Sequence, residues 1–134
     1  MEKQGYEMSI TKDTDMATAE EETRAALTAE GFGILTEIDV AATLEAKLGV
    51  TTPPYKILGA CNPNLAHQAL DIEPAIGLLL PCNVTLRMTE DGATRISAVD
   101  PAAMLSVSES SDIQPIADEA RSRLVAALTA VESA

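Results

Sequence analysis

Aromatic side chains are almost missing from this chain. Only 2% of its 134 residues are aromatic, namely Tyr6, Phe32 and Tyr55, and there is no tryptophan. Hydrophobic residues still make up 46% of the chain, so the core must be built from Leu, Ile, Val, Ala and Met. The scarcity of aromatic rings also removes the usual stacking platforms for nucleic-acid bases.

Basic residues are also scarce. Nine Lys and Arg stand against 21 Asp and Glu, which gives a formal net charge of −12. Nucleic-acid backbones are bound by clustered Lys and Arg, so we expect no nucleic-acid partner. An acidic membrane surface would repel the chain in the same way, and we expect no membrane partner either. The charge is best explained as a contribution to solubility.

Long apolar runs are absent as well. The longest, "AIGLLL", is too short to span a bilayer, and the first ten residues contain no run typical of a signal peptide. The chain has two cysteines, which in a core-forming domain are not a disulfide framework by default. We therefore expect a single domain over residues 1–134, located in the cytoplasm.

The hydrophobic pattern predicts five strands and four helices. The apolar alternation in the later strands and the order β-α-β-α-β-α-β-β-α indicate an α+β fold. We expect a mainly antiparallel or mixed five-stranded sheet with the helices packed on one face. The predicted strands are Tyr6–Thr11, Phe32–Val40, Tyr55–Cys61, Gly77–Thr89 and "RISAV"; the predicted helices run from Asp15 to about Glu30, over Val40–Leu48, from Pro63 to about Asp71, and from Ile113 or Pro115 to Val131.

Two features refine the late strands. Pro81 cannot donate a hydrogen bond to a sheet, which predicts that the Gly77–Thr89 strand is at an edge or bulged there. The turn "EDGAT" fits a three-residue loop, Asp91–Ala93, with Gly92 at or near the left-handed position. That loop places Met88 opposite Ile96.

Four sequence blocks resemble a known family. "EGFGILTEIDV", "LGACNP", Ala69-Leu70 and "IGLLLPCNV" are similar to the signature blocks of the domain of unknown function family 302 and occur in the family's order. The resemblance covers residues 6–131. It implies a small α+β domain that forms a homodimer, and it brings no established activity.

The two cysteines are the strongest candidates for a site. Cys61 stands at a strand end and directly before a helix, where the helix dipole and free N–H groups stabilise a thiolate. We place it on the same inward strand face as Tyr55 and Ile57. Cys82 is predicted to lie on the inward face of a later strand. If the two strands are neighbours, the thiols can approach each other, although buried cysteines often only fill space.

Further polar residues accompany the cysteines. Asn62 and Asn83 each follow a cysteine and can offer hydrogen bonds to a ligand, although Asn62 is most simply a helix cap. Glu37 can supply a carboxylate, although a solvated strand residue is the simpler interpretation. His67 is the only histidine, and with Cys61 and Cys82 it would make an incomplete metal set without CxxC or HxxxH spacing.

Three functional hypotheses follow. The first is a homodimeric module that binds a small ligand, a metal or a redox partner near Cys61 and Cys82. The second is a purely structural or protein-interaction domain without ligand chemistry. The third is an enzyme that uses Cys61 as its nucleophile. It ranks last because no catalytic motif is recognisable and no cofactor is indicated.

Overall fold

A computed structural model describes residues 1–134 as strands, α-helices and two 3-10 segments. The strands are Glu2–Gln4 (β1), Glu7–Lys12 (β2), Gly33–Asp39 (β3), Tyr55–Cys61 (β4), Cys82–Met88 (β5) and Thr94–Val99 (β6). The α-helices are Met16–Ala29 (α1), Val40–Leu48 (α2), Pro63–Ile72 (α3), Pro101–Met104 (α4) and Ile113–Ser133 (α5). The 3-10 segments are Pro74–Leu79 and Leu105–Val107.

The six strands form one sheet in the order β1-β2-β6-β5-β4-β3, and every neighbouring pair is antiparallel. The α+β class is confirmed, but the expectation of five strands was wrong. The additional strand is β1, which pairs with β2 across a tight turn at Gly5, where φ is +60°. All three residues of β1 are exposed, so it shows none of the apolar alternation by which strands are recognised in a sequence.

One face of the sheet is buried under α1 and α5. Aliphatic side chains from β2, β4, β5 and β6 meet those of the two helices in a core of 16 buried residues. Leu58, Leu86 and Ile96 are fully buried in it, and Leu27 of α1 and Leu124 of α5 are only 2% and 1% exposed. This is the predicted arrangement. On α5, Glu119 and Arg123 form an i,i+4 ion pair at 2.9 Å.

The strand predicted from Gly77 begins only at Cys82. Residues Pro74–Leu79 form a 3-10 segment instead, and Leu78, within the predicted strand, is 88% exposed. Pro81 is not inside an edge strand but directly precedes β5, a central strand. Since β5 starts after the proline, none of its ladder positions lacks an N–H donor.

The loop of the hairpin between β5 and β6 has the predicted length of three residues, but it begins one residue earlier than predicted. It spans Glu90–Gly92, with a hydrogen bond from the Thr89 amide to the Ala93 carbonyl at 2.9 Å. Met88 therefore pairs with Thr94 and not with Ile96. Because this shift of the partner is two residues, the same side chains still face the core. Gly92 has the left-handed φ that was predicted, at +85°.

The orientation of β4 also differs from the expectation. Leu58 and Ala60 face the core, so the alternation places Tyr55 and Ile57 on the opposite face. That opposite face is crowded at Gly59, where an added Cβ would overlap Thr36 Oγ1 and lie 2.8 Å from Pro81 Cγ. A glycine at this position therefore allows β3 and the residue before β5 to close over β4.

We predict that Gly59→Ala lowers the free energy of unfolding by about 1–3 kcal/mol, the typical cost of overpacking. Gly33→Ala is the matched control, because its Cβ would lie 4.0 Å from the nearest atom, the Cys61 carbonyl oxygen. Urea denaturation measures both effects.

Thr36→Ala in the Gly59→Ala background removes the overlapping hydroxyl and should recover part of the lost stability. Equal stability of Gly59→Ala and Gly33→Ala would show that the contact with Thr36 and Pro81 does not constrain the sheet.

Candidate functional site

Cys61 ends β4, and Asn62 caps the helix that follows. Asn62 Oδ1 accepts a hydrogen bond from the Leu65 amide at 3.3 Å, and Pro63 occupies the first helical turn of α3. Asn62 Nδ2 also donates to the Glu30 carbonyl at 3.5 Å. The buried Asn62 side chain thus connects the start of α3 to the end of α1, which confirms its role as a cap.

Cys82 lies on a neighbouring strand. It pairs directly with Ala60 of β4, and it belongs to the buried core while Cys61 is only partly buried. Both cysteines are free thiols. They line a mostly apolar crevice of about 40 Å³, which is room for a few waters at most. Its other lining residues come chiefly from α3, α5 and the segment before β5: Leu65, Ala66, Ala69, Leu80, Pro81, Ile116 and Ala120.

The environment of the thiols favours their neutral form. Burial, followed by charge repulsion from Cys61, raises the pKa of the Cys82 thiol to about 11. Burial also raises the pKa of Cys61. This direction is opposite to the one expected from the helix terminus, because the apolar crevice opposes ionisation more strongly than α3 favours it.

His67 does not join the cysteines. It is exposed on α3 and is not part of the crevice. No group of three or more His, Cys, Asp and Glu side chains in the structure is arranged to hold a metal ion. Helix α3 turns the imidazole of His67 towards solvent, so the structure does not bring the candidate metal set of Cys61, Cys82 and His67 together.

Glu37 and Asn83 also lie away from the crevice. Glu37 lies on the edge strand β3, where it pairs with Leu58 of β4, and it accepts from Arg24 at 2.7 Å and from Lys56 at 2.8 Å. Hydrogen bonds from these two cations lower its pKa, that from Lys56 most. Asn83 follows Cys82 in β5 and so faces the opposite side of the sheet. Only Cys61, Asn62 and Cys82 of the candidate residues come together.

A larger concavity, here called the open-face groove, lies on the face of the sheet opposite to the one that packs against α1 and α5. Its volume is about 650 Å³. It contains two of the three aromatic residues of the chain together with polar strand residues. The lining residues are Gln4, Gly5, Tyr6, Glu7, Tyr55, Asn83, Thr85, Arg87, Ser97, Ala98 and Val99.

Charged side chains are organised at one end of this groove. Glu7 accepts two hydrogen bonds from Arg95, at 3.1 and 3.2 Å, and one from the Ser97 hydroxyl at 2.6 Å. These hydrogen bonds lower the pKa of Glu7, so its carboxylate stays ionised. Arg87 is directly opposite Arg95 across the β5–β6 pair. The negative charge of Glu7, which contacts both arginines, reduces the repulsion between them.

The groove was missed in the sequence because it depends on the pairing of distant strands. On β5, Asn83, Thr85 and Arg87 alternate with the core residues Cys82, Val84 and Leu86, so a period of two places them on the face opposite the core. The same period applied to the true orientation of β4 would have added Tyr55. No local signal brings Tyr6 and Glu7 beside them, since β2 reaches β5 only through β6.

Comparison with known proteins agrees with this fold. The family model described as "Domain of unknown function DUF302" matches residues 6–131. A crystal structure of an uncharacterized conserved DUF302 protein from Bacillus stearothermophilus superposes with a TM-score of 0.87. The two chains share 27% identity, and the match covers 93% of this chain and 97% of that one. No curated protein matches the chain.

No helix has the length and apolar character needed to cross a membrane.

The raised thiol pKa values predict slow alkylation of the native protein. Cys82, studied in Cys61→Ser, should react with iodoacetamide more slowly at neutral pH than an unstructured cysteine because burial still raises its pKa. The shift from 9.0 to about 11 in the unsubstituted chain, which includes repulsion from Cys61, sets an upper limit of about 100-fold on this slowing. Cys61, studied in Cys82→Ser, should titrate above the ordinary thiol value.

Mass spectrometry of the alkylated protein measures both rates as a function of pH. The same variants unfolded in guanidinium are the control, and there the two cysteines should react alike. Titration of native Cys61 below the ordinary thiol value would contradict the effect of burial and indicate an activated thiolate.

Proposed function

This chain belongs to the DUF302 family, and from that premise we propose that it is a homodimeric module that binds a small ligand in the open-face groove. The observation that carries the proposal is the groove itself. Its volume of about 650 Å³ falls within the range of about 300–1,000 Å³ that is usual for small-molecule sites. Two free thiols fit the reducing cytoplasm in which we place the protein.

The crevice beside Cys61 and Cys82 supports a ligand site less well. A volume of about 40 Å³ excludes most organic ligands without movement of α3 or α5. The raised thiol pKa values also oppose redox exchange, which needs a thiolate. An enzyme with Cys61 as nucleophile would need a base within hydrogen-bond reach, and His67 is not in the crevice.

The homodimer is supported by the exposed end of the sheet. β3 is an edge strand whose outer backbone groups are unpaired, and Leu35 and Ile38 on it are 65% and 46% exposed. Leu48, the last residue of α2, and Val50 just after the helix are exposed apolar side chains as well. An exposed edge strand with apolar side chains is an energetic liability that a second copy removes.

The two surfaces are separated on the sheet. The groove involves β2, β6, β5 and one residue of β4, whereas the proposed dimer contact is at β3. A dimer formed through β3 therefore leaves both grooves open. If no ligand binds but the dimer forms, the alternative of a purely structural or protein-interaction domain is the better description.

We predict that ligand binding is confined to the open-face groove. Mixtures of small acids, amines and neutral amides, added to ¹⁵N-labelled protein, should shift the amide resonances of β2, β5 and β6. Asn83→Trp places an indole in the groove and should abolish these shifts. Thr11→Trp, at an exposed position of β2 outside the groove lining, is the matched control and should preserve them.

Dissociation constants of such fragments are expected at about 1 mM. Shifts centred on the amides of Cys61 and Asn62 would assign the site to the cysteine crevice. The absence of shifts with every class of fragment would contradict ligand binding.

We predict that Ile38→Lys dissociates the dimer. Sedimentation velocity should show a dimer for the unsubstituted chain and a weakening of association by at least tenfold for Ile38→Lys, because a charge replaces apolar contact area at the interface. Val107→Lys is the control, since Val107 is 71% exposed but lies in a different segment. A concentration of about 100 μM is well above the dissociation constants usual for stable dimers. If the unsubstituted chain is monomeric at that concentration, the homodimer is refuted.

A further inference from the structure

We propose that the ligand of the open-face groove is a small organic monocarboxylate and that Arg87 binds its carboxylate group. This inference rests on the proposed function and adds the chemical class of the ligand. Three observations carry it: the lack of a hydrogen-bonded carboxylate at Arg87, the balance of charge around it, and the composition of the groove beside it.

Arg87 differs from the other four arginines. Arg24, Arg95, Arg121 and Arg123 each donate hydrogen bonds to carboxylates at 2.7–3.3 Å. Arg87 donates none, and its nearest carboxylate oxygen is Glu7 Oε2, 3.9 Å from Nη2. In a chain with 21 acidic residues, a guanidinium without a hydrogen-bonded carboxylate has its donors free for a ligand.

Glu7 cannot easily satisfy Arg87 because it is already occupied. Its Oε2 accepts from Arg95 and Ser97, and its Oε1 accepts from Arg95. Rotation of Glu7 towards Arg87 would break three hydrogen bonds that hold it against β6. The planar guanidinium of Arg87 is thus free to bind both oxygens of a carboxylate from outside the chain.

The local charge selects a monoanion. Arg87 and Arg95 contribute +2 and Glu7 contributes −1, so the three groups sum to +1. Glu2 Oε2 also comes within 3.9 Å of Arg95 Nη2, but its side chain is 75% exposed, and solvent therefore screens it. A carboxylate balances the remaining charge. A dianion such as phosphate would leave an excess negative charge near the Glu7 carboxylate and in an acidic chain.

The groove beside Arg87 suits an organic body. Tyr55 is directly opposite Arg87 across the β4–β5 pair, and Val99 and Tyr6 line the other part of the groove. Asn83 and Thr85 precede Arg87 on the same face of β5 and provide hydrogen-bonding groups. A flat or apolar acid can therefore contact the tyrosines while its carboxylate reaches Arg87.

Benzoate and its neutral counterpart benzamide are the test pair. Each is titrated into ¹⁵N-labelled full-length protein at low salt, and the amide shifts of β5 and β6 give the affinity. We expect benzoate to bind at least tenfold more tightly than benzamide and more tightly than inorganic phosphate. Arg87→Gln should remove that preference, and Arg87→Lys should restore only part of it.

Lys47→Gln is the matched control for charge. Lys47 on α2 is exposed and makes no ion pair in the structure, and both substitutions change the formal net charge from −12 by −1 to −13. Benzoate binding to Lys47→Gln should stay within twofold of the unsubstituted chain. Equal weakening by Lys47→Gln and Arg87→Gln would overturn the role of Arg87, since only long-range charge would then matter.

The remaining outcomes separate the two proposals. Benzamide binding as tightly as benzoate, or phosphate binding more tightly, would overturn the carboxylate assignment and leave the groove as a ligand site. Benzoate shifts confined to residues that do not line the groove would also overturn it. Failure of benzoate, benzamide and the wider fragment mixtures to bind would overturn both proposals together.

Discussion

The structure depends on the burial of a single face of an antiparallel sheet by aliphatic side chains. Leu58, Leu86 and Ile96 are fully buried against α1 and α5, and the other face receives no comparable helix layer. With so few aromatic residues, the chain gains its apolar burial from many small contacts, which need close packing. Close packing requires a fixed strand register, and the same register aligns the polar side chains on the uncovered face. The groove is therefore a consequence of the core.

Opposed charges are balanced within that uncovered face. Arg87 and Arg95 face each other directly across two strands, an arrangement that is unfavourable for like charges. Glu7 reaches them from β2 and offsets the repulsion through its hydrogen bonds to Arg95. A pair of arginines in the centre of a sheet thus depends on a carboxylate from a third strand. Through this ion pair between Glu7 on β2 and Arg95 on β6, the β1–β2 end of the sheet interacts with its central strands.

The sequence predicted the features that are encoded locally. Asn62 caps its helix as expected, and Asp15 and Asp39 cap theirs in the same way, because a cap needs only a side-chain oxygen and the next few amides. The predicted start of β5 at Gly77 was wrong. The apolar run in "GLLLP" is compatible with an extended strand, but Pro74 and Pro81 at the two ends of the segment favour the 3-10 conformation. The face of β4 and the residues of the groove were not predictable in the same way, since they depend on which strands lie side by side. The family resemblance and the α+β class are confirmed, while the pairing of Cys61 with Cys82 as a functional site stays a prediction.

The distribution of the aromatic residues has a spectroscopic consequence. The chain has no tryptophan, so its intrinsic near-ultraviolet emission comes from tyrosine. Both tyrosines line the open-face groove, one on each side of the strands that form its floor, and the single phenylalanine is buried elsewhere. The fluorescence of the unmodified protein is therefore an optical signal from the groove, and it observes that face of the sheet without any label.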